Sequence, residues 1–597
     1  MPHDFVGEAL ADVIRLTDAA DADTRRFVSF PPFTMDPKKG LFITVERRRG
    51  KEEWEEEIWL SAPFEIIGRV RDPQSHGWAR LLRWKDDDGV VHQHPVADED
   101  LHGDGSALCA ALASRGLKIA TGAVRQHFVT YLNRAVVKAR VTIVGRTGWH
   151  EVGGQRTFVL PDGTNSKIIV NEAVTSPYAA SGSLEQWQGS VAKLAEGHSR
   201  ALFTISTAFV PPLLELIGEG GGGFNLRGAS SIGKTSLLCA AASVWSNGGE
   251  QGGYIKTWRA TANGLEGVAA LYSGTLLPLD ELSIASANEV GNIVYSLASG
   301  IGKQRAQRDG SVRPPKTWHV TVLSTGEVGI IAKIHESGKR ARAGQEVRII
   351  DIDADAEKGF GVFDHAGADG SKKLADDIKK AAKDDYGVAG LAFVRAIETK
   401  GIESIVATVR ETQDVFRANV IKGTPAGQVL RVADRLGLVA AAGELAISLD
   451  ILPWQAGTVA GAVKVIFEGW HEDRGGDDPA EVRTAIEQIR GLLERYGDSR
   501  FDPATTDPNS RPVIDRLGYF HGHGSDRQWC ILPQTWRDEF CPGFDAKMIA
   551  KALVERELLL PGEDGRTNRL VRIGDKPTRV YVLPATAWTE GEDPHGG

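Results

Sequence analysis

The stretch FNLRGASSIGKTSLLCAAASVW, Phe224 to Trp245, decides how the rest of the chain is read. Its middle sets Gly228, Gly233, Lys234 and Thr235 in the spacing GxxxxGKT, with an apolar run before it and a helical pattern after it. A strand, a glycine-rich loop and a helix N-terminus in that order aim backbone N–H groups at one point, which suits a chain of phosphates. The pattern therefore assigns Gly228, Ala229, Ser230, Ser231, Ile232 and Gly233 to a phosphate cradle, continued by Lys234, Thr235 and Ser236 at the start of the helix. Lys234 is read as the ligand of the β- and γ-phosphates, and the Thr235 hydroxyl as a ligand of Mg²⁺.

Such a site needs an acid at the end of a neighbouring strand. TLLPLDEL supplies Asp280 and Glu281 about 45 residues downstream. Asp280 is expected to hold Mg²⁺ through water, and Glu281 to polarise an attacking water. The adjacent glutamate favours hydrolysis over small-molecule phosphorylation, which needs no water-polarising residue. Further on, HVTVLSTGE ends in Ser324-Thr325 at a strand tip, where one of the two hydroxyls is expected to sense the γ-phosphate. GKRARAGQEVRIIDID offers Arg340, Arg342 and Arg348 as an arginine finger toward a neighbouring subunit's nucleotide. Arg348 is favoured because a strand follows it directly and fixes its position.

Between the acids and the sensor strand, Asp309-Gly310 signals a tight hairpin. From Lys303 to Lys316 there are five basic residues (Lys303, Arg305, Arg308, Arg313, Lys316) against Asp309, a net of +4. The whole chain is acidic at −9, so nucleic-acid binding needs a local patch of this kind. Near the end, two helical stretches and a two-stranded pattern read as a winged helix. Lys547 and Lys551 lie on its second helix, and Arg566, Arg569, Arg572, Lys576 and Arg579 on the wing.

Outward from these motifs, 597 residues are too many for one core. The text divides into a polar leading segment (1–38), an α+β amino-terminal domain (39–180), a P-loop core (181–370), a helical lid (371–472), a helix and linker (473–511) and a winged-helix-like unit (512–597). The expected fold class is multidomain α/β. Four scattered cysteines without a CxxC pair predict reduced thiols rather than a metal or disulfide framework. The start lacks a secretory pattern, and the most apolar window, 201–217, is broken by Pro211-Pro212. A cytoplasmic location with no membrane contact is the expectation.

WRATANGLEGVAALYSGTLLPLDELS, VYSLASGIGKQR, LSTGE and AGQEVRIIDI together resemble the DUF927 family of P-loop ATPases, over about residues 40–470. Within that family the layout is similar to cassette-chromosome replicative helicases and to minichromosome-maintenance helicases. The resemblance implies an AAA+ core, a pre-sensor hairpin that grips DNA, and Arg348 in the finger segment. It also implies a second sensor, Arg431 or Arg435, from the lid helix. It departs from the minichromosome-maintenance helicases at Ser324-Thr325, where their sensor is usually asparagine, and in lacking their zinc-ligand set. ATP and Mg²⁺ as cofactors, DNA as partner, a homo-hexamer, and a primase or polymerase alongside are the resulting expectations. The rivals are an AAA+ ATPase that remodels another target, as in phage defence, and a DNA-binding initiator or regulator that keeps ATP as a ligand.

Overall fold

The computed structural model describes residues 27–588 apart from 153, 162–166, 171–175, 307–311, 314, 339–342, 367–368, 424, 475–479 and 506–512. The chain divides into two units, one of residues 1–420 and 432–470, the other of 421–431 and 471–597.

The first unit opens on a three-stranded antiparallel sheet of Phe33–Asp36, Gly40–Arg49 and Glu52–Ser61. The polar leading segment read from the sequence (1–38) therefore includes the strand Phe33–Asp36. Phe33 and Met35 alternate inward against Leu41 and Ile43, which buries all four. A five-stranded sheet comes next, in the order Ile168–Val170, Arg140–Val144, Glu65–Arg71, Ala79–Lys85, Val91–Ala97, with the helix Arg125–Arg134 in its core. The hairpin Gly148–Val152 and Gln155–Val159, read from sequence as part of this amino-terminal region, packs on the P-loop core. Trp149 Nε1 donates to Pro212 O at 2.7 Å, and the Phe158 ring stacks on Trp245 at 5.9 Å.

That core is a parallel sheet in the order Lys256–Thr257, Leu276–Asp280, Thr321–Gly326, Gly222–Arg227, Ile349–Asp353. The strand Gly222–Arg227 lies inside it, flanked on both edges. Burial on both faces explains its unbroken GGFNL run, and a Cβ at Gly223 would stand 2.0 Å from Val322 O. The edge strand Lys256–Thr257 is only two residues long, too short to announce itself in GYIKTW. The helix Lys234–Ser243 is buried along nearly its whole length, and the helix Ser371–Asp384 packs against it. The bent helix pair Ser199–Thr207 and Pro211–Ile217 is apolar and almost wholly buried within this unit, and no single described helix is long and apolar enough to cross a membrane.

In the second unit the helix Ala480–Tyr496 is core rather than connector. Val482, Ala485, Ile489 and Leu493 bury against Trp529, Phe540 and Leu553. The strand Phe501–Pro503, expected to be linker, joins the sheet by pairing with Gly518–His521, so 473–511 and 512–597 share one core. Asp545 caps the helix Ala546–Glu555, the helical stretch before it is short, 533–540, and the hairpin Arg569–Ile573/Lys576–Pro584 continues the same five-stranded sheet.

One histidine ties the first unit's core together. His198 Nδ1 accepts from Asp364 N at 3.2 Å, its ring lies 4.1 Å from that of His365, and Ser199 N donates to the Asp364 carboxylate at 2.6 Å. Burial, helped by His365 and opposed by Asp364, holds the His198 pKa down to about 4. The folded value lies below the ordinary 6.5, so this stabilisation is complete above pH about 6.5 and is lost as pH falls toward 4. His198→Asn is therefore expected to flatten the fall of thermal midpoint over that window in a fluorimetric melt. A slope equal to that of the wild type would show that another group governs acid unfolding.

Candidate nucleotide site and nucleic-acid interface

At the carboxyl ends of the parallel strands, the loop after Arg227 turns tightly into the helix that begins at Lys234. Gly228, Ser231 and Gly233 hold φ of +155°, +64° and +106°. At Gly233 a Cβ would meet Val362 Cγ2 at 2.8 Å, so glycine is required there by both conformation and space. Lys234 folds back on its own loop, donating to the carbonyls of Gly228 (2.9 Å) and Ala229 (2.6 Å). Burial lowers its pKa, while Glu327, Glu281 and Asp280 pull it back up. A desolvated ammonium under an open backbone cradle fits a polyphosphate.

A cavity of about 690 Å³ opens over this loop. Ser230, Ser231, Ile232, Gly233, Lys234, Thr235 and Ser236 line it, and Asp280, Glu281 and Thr325 face them. Thr325 joins the acids: its hydroxyl donates to Asp280 Oδ1 and accepts from Glu281 N at 3.3 Å. Glu281 N also reaches Asp280 Oδ1 at 3.1 Å, and Ser283 Oγ donates to the Glu281 carboxylate. Glu281 holds φ +61°, a conformation that costs a non-glycine residue about 1 kcal/mol. The network that fixes its N–H offsets that strain. The donor set fits a nucleotide and its magnesium, with Thr235 and Asp280 as the residues that would hold the ion.

Strand alternation separates the two candidate sensors. Ser324 is fully buried on the other face of the strand, donating to Asn225 Oδ1 at 2.9 Å and accepting from Trp258 Nε1 at 2.8 Å. It does not face the cavity; Thr325 does. Asn225 in turn donates to Asp351 Oδ1 at 2.8 Å, so a polar relay runs under the site.

The arginines lie elsewhere. Arg348 precedes the strand Ile349–Asp353, whose first residue pairs with Gly223 and whose last pairs with Arg227. At about 3.3 Å per residue, Arg348 stands roughly 16 Å from the phosphate loop, at the amino end of the sheet. Its guanidinium sits 4.5 Å over the Tyr295 ring and donates to Gly344 O at 2.5 Å. Arg435, expected as a second sensor, packs at the same end: it donates to Gly221 O (3.1 Å) and Arg348 O (3.3 Å), and burial lowers its pKa to about 10. It cannot serve the cavity of its own chain, because its helix meets the start of the central strand and not its end. Arg431 is exposed and belongs to the other unit. Arg340 and Arg342 lie outside the described residues.

The basic hairpin forms at this amino end too. Arg305–Ala306 pairs antiparallel with Val312–Arg313, while Arg308 lies outside the described residues. Its base is clamped by Gly302 N to Lys316 O (2.8 Å) and Trp318 N to Gly300 O (2.9 Å), above the buried Trp318. Lys303 and Lys316 are exposed at that base. In the second unit Lys547 and Lys551 are exposed on their helix, Lys551 at 3.9 Å from Glu555. On the hairpin beyond, Arg566, Arg572 and Lys576 are exposed, Arg569 is half-buried, and Arg579 is tied to Asp564 at 2.8 Å.

Sequence reasoning missed Glu327, Phe360 and the helix face of Lys372 and Asp376, all of which line the cavity. The glycines of KGFG were the available signal.

The chain is thus a multidomain α/β protein whose fold recurs in a solved helicase. The structure of SCCmec type IV Cch, described as an active helicase, matches with a TM-score of 0.68 at 17% identity, covering 94% of this chain and 100% of that one. Residues 33–317 match the model of DUF927, a domain of unknown function, so the resemblance read from the sequence holds over that stretch. No curated protein matches the chain.

Ser324→Ala should cost about 1–3 kcal/mol of unfolding free energy in urea, because it strands the buried Asn225 and Trp258 groups. An unchanged denaturation midpoint would mean that the relay is not structural.

Proposed function

We propose that this chain is an ATP-driven AAA+ DNA translocase or helicase that works as a ring, a homo-hexamer by resemblance. The observation that carries the reading is the division of the machinery between the two ends of one sheet. Lys234, Asp280, Glu281 and Thr325 meet at the carboxyl end, while Arg348 and the basic hairpin stand at the amino end. An arginine placed there can act only on a nucleotide held by another copy, which makes the subunit interface the unit of hydrolysis. The strand order, with the phosphate-loop strand between the edge strand Ile349–Asp353 and the sensor strand, is that of AAA+ cores and supports the same assignment.

ATP supplies the phosphoryl group and magnesium its charge neutralisation. The backbone N–H groups of 229–235 and the Lys234 ammonium bind the phosphates. Glu281 orients a water and takes its proton, and Thr325 keeps Glu281 and Asp280 in register. The helix Ala287–Ser299 comes after the acid pair, carries Tyr295 under Arg348, and leads into the hairpin. Changes at the nucleotide therefore have a short, rigid path to residues that touch phosphates of a strand. The exposed lysines of the second unit give it a further DNA-docking role, and a primase or polymerase is the natural partner of a replicative motor.

Steady-state hydrolysis with and without single-stranded DNA tests the whole reading. Lys234→Ala is expected to abolish nucleotide binding. Glu281→Gln should bind ATP while turnover falls at least about 10²-fold, and Thr325→Val should slow turnover without weakening binding. Hydrolysis indifferent to DNA would point instead to a remodelling ATPase, and no hydrolysis to a regulator that keeps ATP as a ligand.

Arg348→Ala should also be inactive, yet mixing it with inactive Glu281→Gln should restore part of the activity, since some interfaces then combine an intact Glu281 with an intact Arg348. Mixtures as inactive as their components would remove the shared site.

Replacing Lys303, Arg305 and Arg308 with alanine should reduce the salt-dependence slope of single-strand binding by about 2. An unchanged slope would detach the hairpin from DNA.

A further inference from the structure

The segment KGFGVF, residues 358–363, belongs to none of the motifs assigned so far. It comes after the strand Ile349–Asp353 and turns back onto the phosphate loop. Ala354 N donates to Arg227 O at 2.8 Å, and Val362 N to Ile232 O at 3.0 Å. Gly359 (φ +81°) and Gly361 (φ +63°) bracket Phe360, and a Cβ at 361 would stand 2.5 Å from Ile232 O. Both glycines are needed for this close turn. Val362 and Phe363 are buried by it, whereas Phe360 stays exposed and lines the same cavity as Lys234–Ser236. The facing wall at this end is the helix Ser371–Asp384, which brings Lys372, Ala375 and Asp376 to the cavity. Residues 372 and 376 are four apart and 375 lies between them, so they share one stripe of the helix.

Sheet topology sets which end of a nucleotide meets this aromatic. Asp280, Glu281 and Thr325 come from strands on one side of the phosphate-loop strand, and Phe360 comes from the chain leaving the strand on its other side. With the phosphates fixed over Lys234 and their reactive end at the acids, the opposite end of the ligand falls on the Phe360 side. That end is the nucleoside.

We propose that Phe360 is the platform on which the nucleobase stacks, with Ala375 and the aliphatic stem of Lys372 closing the slot from the helix side. This rests on the nucleotide reading of the same site and adds the part of the ligand that the phosphate loop does not touch. Stacking on a phenyl ring is worth most to a flat, weakly hydrated ring and is tolerant of the particular base. An aromatic on a loop hydrogen-bonded to the phosphate cradle also links the presence of a base to the position of Ile232 and Gly233.

Titration calorimetry of the full-length chain, with ATP and separately with inorganic tripolyphosphate, tests the platform. Phe360→Ala is expected to weaken ATP roughly ten- to a hundredfold while tripolyphosphate stays within about twofold, and Phe360→Trp should bind ATP about as the wild type does. No loss for either ligand in Phe360→Ala, or equal losses for both, would overturn the proposal, the second because Phe360 would then act through the phosphate loop. So would loss of ATP binding in Phe360→Trp. Lys234→Ala run alongside separates this from the underlying reading: if that variant bound both ligands normally, the phosphate-loop assignment would fail. If it bound neither while Phe360→Ala bound ATP unchanged, the platform alone would fail.

Discussion

Everything at the candidate site depends on the parallel pairing of Gly222–Arg227 between its two neighbours. Register fixes Arg227 opposite Gly326 on one side and Asp353 on the other, so three strands end at the same level. Each strand end then leads into the next segment of its chain: the phosphate loop after Arg227, Glu327 after Gly326, and the loop toward Phe360 after Asp353. In a parallel sheet these points of departure share an edge by construction, which is why open sheets of this kind collect their ligands there. A one-residue slip of the central strand would send Asn225 away from Asp351 and Ser324 and break both of those buried side-chain hydrogen bonds. The buried relay is thus a register lock, costly to break and placed directly beneath the site.

The loop from Ala354 to His365 turns this geometry into a tight enclosure. Its backbone is pinned to Arg227 and Ile232, and its far end is held by Asp364 accepting from Ser199 and by His198 accepting from Asp364 N. The phosphate loop is consequently supported from outside the sheet as well as by its own helix. Lys234 donates to two loop carbonyls, bonds that a phosphate in the proposed site would exchange for its own. The Val362–Ile232 bond ties that loop to the segment bearing Phe360.

Much of the first unit's core was legible in the sequence because it is written locally. The GxxxxGKT spacing, the LDE strand end and the Asp-Gly hairpin each need only a few neighbouring residues. The structure places the first two on the expected elements and pairs the strands that flank the third. The features that stayed hidden depend on which way a strand or helix faces. Ser324 and Thr325 are equivalent in sequence, and only the pairing of their strand with FNL decides that Ser324 turns inward to Asn225 and Trp258. Arg435 reads as a lid arginine until its helix is seen to meet the start of the central strand at Gly221. The helix 480–496 read as a connector because its apolar stripe gives no hint of which core will cover it.

The amino end of the sheet holds Arg348 and the paired strands of the basic stretch. Arg348 is held by four partners: its guanidinium by Tyr295 and Gly344, its carbonyl by Gly223 N and Arg435. Arg348, the arginine proposed above to reach another copy's nucleotide, is thus docked against its own subunit, on the helix between Glu281's loop and the strand Arg305–Ala306. Releasing it forfeits a stacking contact worth about 0.5–1 kcal/mol together with the hydrogen bond to Gly344 O, about 1 kcal/mol more. The same contact joins Arg348 to the helix Ala287–Ser299, which leads toward Lys303, so both ends of the proposed motor would bear on one element. On the proposed reading, the packing of Tyr295 alone would couple them, without a path through the sheet.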